Sequence, residues 1–165
     1  GGATRYGITE AVARSYGYTG CMTKLPRELA FNIYSTLYWD KLKLDDIEKK
    51  SPKIAKELAD TGINCGTNFA GRALQDWLNV YNNNQQYWDD IAVDGWVGDK
   101  TIESFNAFWL LRADDAGEDV LLTSLNAEQV VRYKTLSKRY TKNQRFTYGW
   151  VRNRGLIGER TSFLA

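Results

Sequence analysis

Apolar residues recur along most of this chain at the three- and four-residue spacing of amphipathic helices. The clearest apolar stripes occupy residues 29–39, 54–63, 69–81, 102–109 and 126–140. The last stripe is preceded by a capping-box pair, since Gln129 follows Asn126 at the spacing that predicts a helix start. The pattern therefore predicts a mainly α protein.

Helix-start signals agree with the first stripes. Thr9 is a typical N-cap for a short helix over residues 10–16. Pro26 suits the first turn of a second helix, because a proline lacks the backbone N–H that is left unpaired there anyway. Ser51 followed by Pro52 combines both signals and predicts that another helix begins at this point.

Strand signals are few. Residues 4–9 contain threonine, tyrosine and isoleucine after a glycine pair, which predicts a turn that enters a short strand. Residues 91–97 form a weaker strand candidate within the longest predicted loop, residues 82–98. Since we find neither a repeat nor a linker, we expect one compact body with a small β element near its N-terminus.

Composition limits the function classes. The chain has 165 residues, of which 43% are hydrophobic, and a net charge of +2. This is enough for one sizeable core, and no apolar run approaches the length of a membrane span. Basic residues concentrate in the last third, and they suit either a solvated helix face or a surface for an anionic polymer. They are Arg132, Lys134, Lys138, Arg139, Lys142, Arg145, Arg152, Arg154 and Arg160.

The chain contains no histidine and only two cysteines, Cys21 and Cys65, which we expect to be free thiols. These facts exclude histidine-dependent nucleophilic catalysis and the common zinc sites in the chain as given. Residues 94–101 lack the alternating oxygen ligands of a calcium loop. We therefore expect no metal or cofactor, and carboxylate chemistry remains as the main enzymatic option. The spacing singles out no pair among Glu10, Asp40, Asp45, Asp46, Asp89 and Asp90.

Several short motifs occur in an order that is informative as a whole. They are the Gly-Gly-x-Thr-x-Tyr-Gly-Ile-Thr start, Ile33-Tyr34, Tyr38-Trp39-Asp40, Asp60 with Asn64-x-Gly66, Leu74-Gln75, residues 94–101, and Phe146-Thr147-Tyr148-Gly149-Trp150 followed by Arg154. In these motifs the chain resembles the muramidases of glycoside hydrolase family 108, which include phage endolysins and bacterial secretion activators. The later motifs resemble the C-terminal peptidoglycan-binding region of that family.

This resemblance implies a lysozyme-like fold with a catalytic region at residues 1–65 and a helical peptidoglycan-binding region at residues 66–165, packed together as one unit. The implied reaction cleaves the β-1,4 bond between N-acetylmuramic acid and N-acetylglucosamine. In the family, the proton donor is a glutamate of a Glu-Gly-Gly segment, followed by an aspartate. We expect both upstream of Gly1, since a chain that starts with glycine does not start at its translation start.

The resemblance also implies roles for single residues. Thr4 would position the attacking water in a supporting catalytic role, and the substrate-binding residues would be Tyr6, Tyr34, Asp60, Asn64 and Gln75. Each has a purely structural alternative. Thr4 could cap its own turn, the tyrosines could pack in the core, and the three polar residues could satisfy the backbone near Gly62 and Gly66.

Two other functions stay open. The chain could be an inactive cell-wall-binding or virion structural protein of the same fold, or its basic last third could bind nucleic acid. Our first hypothesis is a phage-encoded, monomeric hydrolase with peptidoglycan glycan strands as its partner, without nucleic acid and without a membrane span. It would act on the bacterial wall from the host cytoplasm to the periplasm, or as part of the virion.

Overall fold

The computed structural model describes residues 2–6 and 8–155 of the chain. Within these residues the fold is mainly helical, with a two-stranded sheet near the N-terminus, as predicted. The strands are β1 (Thr4–Arg5) and β2 (Ile8–Thr9). The helices are α1 (Glu10–Ser15), α2 (Arg27–Lys41), α3 (Leu44–Glu48), α4 (Pro52–Cys65), α5 (Thr67–Tyr81), α6 (Asp99–Arg112), α7 (Gly117–Arg139) and α8 (Gln144–Trp150). Short 3-10 turns occupy Met22–Lys24 and Thr141–Asn143, and a π-helical turn follows at Val151–Gly155.

The first residues form a hairpin, whereas the sequence predicted one continuous strand. Thr4 pairs with Thr9 and Arg5 with Ile8 in an antiparallel ladder. Tyr6 has a φ of 53°, which turns the chain back between the two strands. Gly1 and Gly7, the other predicted turn residues, lie outside the described residues.

Thr9 caps α1 as predicted, because its side chain accepts a hydrogen bond from the backbone N–H of Val12 at 3.3 Å. Behind the hairpin and α1 lies a small hydrophobic cluster to which β2, α1, the first 3-10 turn and α2 contribute. We call this the N-terminal cluster. Its buried members are Ile8, Ala13, Met22, Leu25, Ala30 and Ile33.

The larger hydrophobic cluster, here the main core, is built around α4. The buried face of α4 is unusually wide, since only Lys56 is exposed between Ile54 and Gly62. α4 packs against α3, α5 and α7. The main core therefore joins residues that precede Gly66, such as Leu58, to residues that follow it, such as Leu74 and Leu125.

Two predictions about the second half are wrong. Residues 91–97 form no strand, because their backbone groups bond to side chains of α5 instead of to a neighbouring strand. Asn79 accepts from the N–H of Ile91 at 2.9 Å and donates to its carbonyl at 2.8 Å. Asn126 is not a helix cap, since α7 already begins at Gly117 and Asn126 lies buried in its interior.

The acidic start of α7 has a clear physical role. Glu118 and Asp119 lie in its first turn, where the helix dipole favours negative charge. Glu118 also accepts a hydrogen bond from Ser51 at 2.6 Å, which joins the beginnings of α7 and α4. No helix within residues 2–6 and 8–155 is long and apolar enough to cross a membrane.

Ser51 makes two hydrogen bonds, and their contribution to stability can be measured by one substitution. It is fully buried, and it caps α4 by accepting from the N–H of Ile54 at 3.0 Å while it donates to Glu118. Ser51→Ala removes both bonds, so we expect a loss of about 1–3 kcal/mol in the free energy of unfolding, measured by urea denaturation. Ser35→Ala on the exposed face of α2 is the matched control. Equal losses in the two variants would contradict the role of Ser51.

Candidate functional site

The hairpin presents two of the predicted site residues to solvent. The side chain of Thr4 is exposed on β1, opposite Thr9. Tyr6 is 46% exposed at the turn. The guanidinium of Arg5 lies 5.0 Å from the centre of the Tyr6 ring and donates to its hydroxyl at 3.3 Å. This arrangement offers an aromatic ring, a cation and a hydroxyl on one short turn.

Tyr34 lies on α2 and packs against the N-terminal cluster, the same cluster in which Ile8 anchors the hairpin. Its ring stacks on that of Tyr38, with centroids 5.6 Å apart and planes nearly parallel. Partial burial raises the pKa of the Tyr38 phenol, and nearby Tyr34 adds to this effect. The hairpin and this tyrosine pair therefore share a common support.

Asp60 and Asn64 lie elsewhere, on α4 and one helical turn apart. Asp60 is only 7% exposed. The neighbouring Thr61 accepts a hydrogen bond from Gln129 of α7 at 3.0 Å. The side-chain nitrogen of Asn64 is buried, and among the described residues it has no hydrogen-bond partner. Asp60 and Asn64 therefore lie on α4, whereas Thr4 and Tyr6 lie on the hairpin and Tyr34 packs against the N-terminal cluster.

Burial affects two titratable groups, one at the end of α4 and one on α7. Burial raises the pKa of the Cys65 thiol at the end of α4. Burial, with the Cys65 thiol as a smaller influence, raises the pKa of Tyr133 on α7 to about 12. Both groups are neutral near pH 7, which suits a site that is half shielded from water. Cys21, the other free thiol, is exposed.

Gln75 has a different position from the one that the sequence analysis implied. It is 1% exposed, so a substrate has no access to its amide. Its nitrogen donates to the carboxylate of Asp94 at 3.1 Å, to the carbonyl of Trp96 at 2.9 Å and to the hydroxyl of Thr101 at 3.2 Å. Its oxygen accepts from the N–H of Gly95 at 2.8 Å. We therefore leave Gln75 out of the candidate site, because its hydrogen bonds are used to hold the loop.

Other residues of α5 hold the same loop. Asn68 donates to the carbonyl of Asp94 at 3.0 Å, and Arg72 donates to the carbonyl of Val93 at 2.6 Å. The loop also approaches α5 closely, since a Cβ atom at Gly71 would collide with the carbonyl of Gly95. We call residues 91–98 the clamped loop. Trp96, to which the sequence analysis gave no role, is 78% exposed on it.

The basic last third carries several arginine–aromatic pairs. Arg145 lies 4.5 Å from the ring centre of Phe146, and Arg139 lies 5.3 Å from that of Tyr140. α8 packs on α7, with the rings of Tyr133 and Trp150 5.6 Å apart. The part of the chain that the structure describes contains no group of three or more acidic, cysteine or histidine side chains that could hold a metal ion.

Comparison with protein families accounts for nearly the whole chain. Residues 69–155 match the family described as Predicted Peptidoglycan domain, and residues 1–66 match the family described as Glycosyl hydrolase 108. The chain therefore belongs to the family described as Predicted Peptidoglycan domain, whose match covers more than half of its length. Together, the two matches support a family of hydrolases that act on peptidoglycan. A search of curated proteins found no match to the chain.

The geometry around Gln75 predicts a stability effect. Gln75→Ala removes four hydrogen bonds and leaves buried polar groups of the clamped loop without partners, so we expect a loss of about 2–4 kcal/mol in the free energy of unfolding. Thermal and urea denaturation measure it. Asn106→Ala on the exposed face of α6 is the control. Unchanged stability together with weakened glycan binding would instead favour the ligand role first implied for Gln75.

Proposed function

We propose that the chain is part of an N-acetylmuramidase that cleaves the β-1,4 bond between N-acetylmuramic acid and N-acetylglucosamine. The observation that carries this proposal is the order of the two family matches, a glycosyl hydrolase match followed directly by a peptidoglycan match. In this proposal residues 1–65 contribute to catalysis and residues 66–165 bind the glycan. The main core joins them, so the two regions act as one unit.

The hairpin is the proposed edge of the catalytic cleft. Thr4 keeps its hydroxyl exposed because β1 pairs with β2 through backbone groups alone. A backbone bond from the N–H of Glu10 to the carbonyl of Ala3, 3.0 Å long, closes the base of the hairpin. Thr4 is therefore held on an ordered turn, as the positioning of a water molecule requires. Tyr6 and Tyr34 are the proposed sugar contacts on the same support.

The proposed proton donor is the glutamate that the family resemblance places before the Gly-Gly motif. Glycoside hydrolysis needs a carboxylic acid to protonate the leaving oxygen. The first carboxylate after the hairpin belongs to Glu10, and it is engaged by Arg14 at 2.7 Å in a pair one helical turn apart. Glu10 therefore stabilises α1 through this ion pair, and we give it no catalytic role.

Asp60 and Asn64 keep a proposed role as indirect contributors only. Asp60 is buried and Asn64 is half-buried, so direct contact with a glycan strand suits them less than it suits the exposed hairpin residues. We further propose a monomeric, phage-encoded protein that acts on the bacterial wall. Released as a free lysin or carried in the virion, it would meet the same substrate.

The test compares three polypeptides on suspensions of purified peptidoglycan. A version extended before Gly1 by the family's Glu-Gly-Gly segment and aspartate should reduce turbidity, whereas residues 1–165 alone should not. In the extended version, Thr4→Val keeps the shape of the side chain but removes its hydroxyl. We expect turnover to fall about twofold to tenfold, which corresponds to the loss of about 0.5–1.5 kcal/mol from one hydrogen bond, while the melting temperature stays unchanged.

Three outcomes would count against this proposal. Clearing by residues 1–165 alone would show that a carboxylate of this chain supplies the proton. A Thr4→Val variant with normal turnover and a lowered melting temperature would show that the hydroxyl only caps its turn. An extended version that binds the wall without cutting it would favour the inactive wall-binding alternative.

A further inference from the structure

Trp96 is the most exposed tryptophan of the chain. It is 78% exposed, whereas the other five are partly buried in the fold. Those five are Trp39, Trp77, Trp88, Trp109 and Trp150. The indole is the largest aromatic side chain, and burying it would stabilise the protein. In this fold the apolar face of the Trp96 indole is instead exposed to water.

The backbone beneath this ring is fixed on both sides. The N–H of Trp96 donates to the carboxylate of Asp94 at 2.8 Å, and its carbonyl accepts from buried Gln75 at 2.9 Å. Gly98 lies under one edge of the ring, since a Cβ atom there would be 3.4 Å from Cδ1 of Trp96. Exposure of Trp96 is therefore not the result of a loose loop. A ring that is already held in place loses little conformational entropy when a ligand stacks on it.

Exposed polar residues lie close to Trp96 in the chain. Asp94, Asp99 and Lys100 are exposed neighbours in the chain, and Arg72 is exposed where it supports the clamped loop. The N–H of Trp96 and the amide of Gln75 lower the pKa of Asp94, so this carboxylate is charged near pH 7. Asp99 pairs with Lys43 at 2.7 Å. An exposed aromatic ring thus stands on a loop whose neighbouring residues carry charged and hydrogen-bonding side chains.

This arrangement distinguishes between kinds of partner. A stable protein partner would need roughly 800 Å² of surface on each side, with an apolar centre wider than one side chain. A pyranose ring needs much less, because one of its faces carries C–H groups and its rim carries hydroxyl and amide groups. Binding sites for such small ligands combine an apolar wall with a few polar groups. The surroundings of Trp96 fit a sugar better than a protein.

We propose that Trp96 is a stacking platform for one N-acetylated pyranose ring of a glycan strand, with Arg72 and Asp94 available to its polar rim. The proposal rests on the proposed function, since it names the residue through which residues 66–165 would hold peptidoglycan. It places this contact on the clamped loop of the second region, whereas the reaction is proposed at the hairpin of the first. The clamped loop would bind one part of the glycan strand while the bond is cleaved at the hairpin, in another part of the same glycan.

The test measures cosedimentation of the chain with purified peptidoglycan sacculi. Trp96→Leu keeps an apolar side chain but removes the flat ring, and Trp96→Phe keeps a ring. We expect about tenfold weaker binding for the leucine variant, equivalent to about 1.4 kcal/mol, and a change of less than about threefold for the phenylalanine variant. Phe31→Leu is the matched control, because Phe31 is 51% exposed on α2, outside residues 66–165, and it should bind like the wild type.

Folding is checked on the same samples. Because Trp96 is exposed, both variants should melt within about 2 °C of the wild type. Soluble chitotetraose, which has N-acetylated rings but no peptide, should compete with the sacculi for the wild type. Cellotetraose, without the acetamido groups, should compete less well.

The outcomes separate this proposal from the proposed function. If the wild type does not sediment with sacculi, the wall-binding function itself fails and the platform fails with it. If the wild type sediments and Trp96→Leu binds equally well, the function stands and the platform is overturned. A wild type that forms dimers which Trp96→Leu abolishes would also overturn it, because the ring would then serve a second copy of the chain.

Discussion

The wide burial of α4 is the constraint on which the rest of the structure depends. This helix packs against α3, α5 and α7, so almost no side chain between Ile54 and Gly62 reaches water. A helix buried in this way must pair its polar groups inside the protein, since an unpaired buried group costs about 1–3 kcal/mol. Ser51 and Thr61 show how this is done, through Glu118 and Gln129 of α7. The burial of α4 ties the glycosyl hydrolase segment to the peptidoglycan segment.

The two candidate surfaces depend on this arrangement to different degrees. α5 has one face in the main core, and its polar side chains hold the clamped loop, so the position of Trp96 follows from the packing of α4 on α5. The hairpin instead rests on the N-terminal cluster, which α2 connects to α4. The proposed reaction site and the proposed glycan platform are therefore supported by two separate hydrophobic clusters. This division suits an enzyme that holds a polymer at one place and cuts it at another.

Much of the fold could be predicted from local signals in the sequence. The caps at Thr9 and Ser51 and the apolar spacing up to Tyr81 gave the starts of α1 and α4 and the end of α5, because these features act within one or two helical turns. The site was harder to predict. The same pattern describes a polar residue that faces a ligand and one that holds a distant loop, so the sequence could not show that Gln75 is buried against residues 94–96. The role of Asn79 in residues 91–97, and of Gln129 within α7, likewise depends on partners far away in the sequence.

Native-state hydrogen exchange on the full chain tests most directly whether α4 unites the two segments. The backbone amides of Leu58 in α4, Leu74 in α5 and Leu125 in α7 report on the main core, and that of Ile33 in α2 reports on the N-terminal cluster. Our account predicts that the first three amides exchange through one cooperative opening, with equal opening free energies and equal dependence on denaturant. It would be contradicted if Leu58 exchanged together with Ile33, through an opening of lower free energy that leaves Leu74 and Leu125 protected.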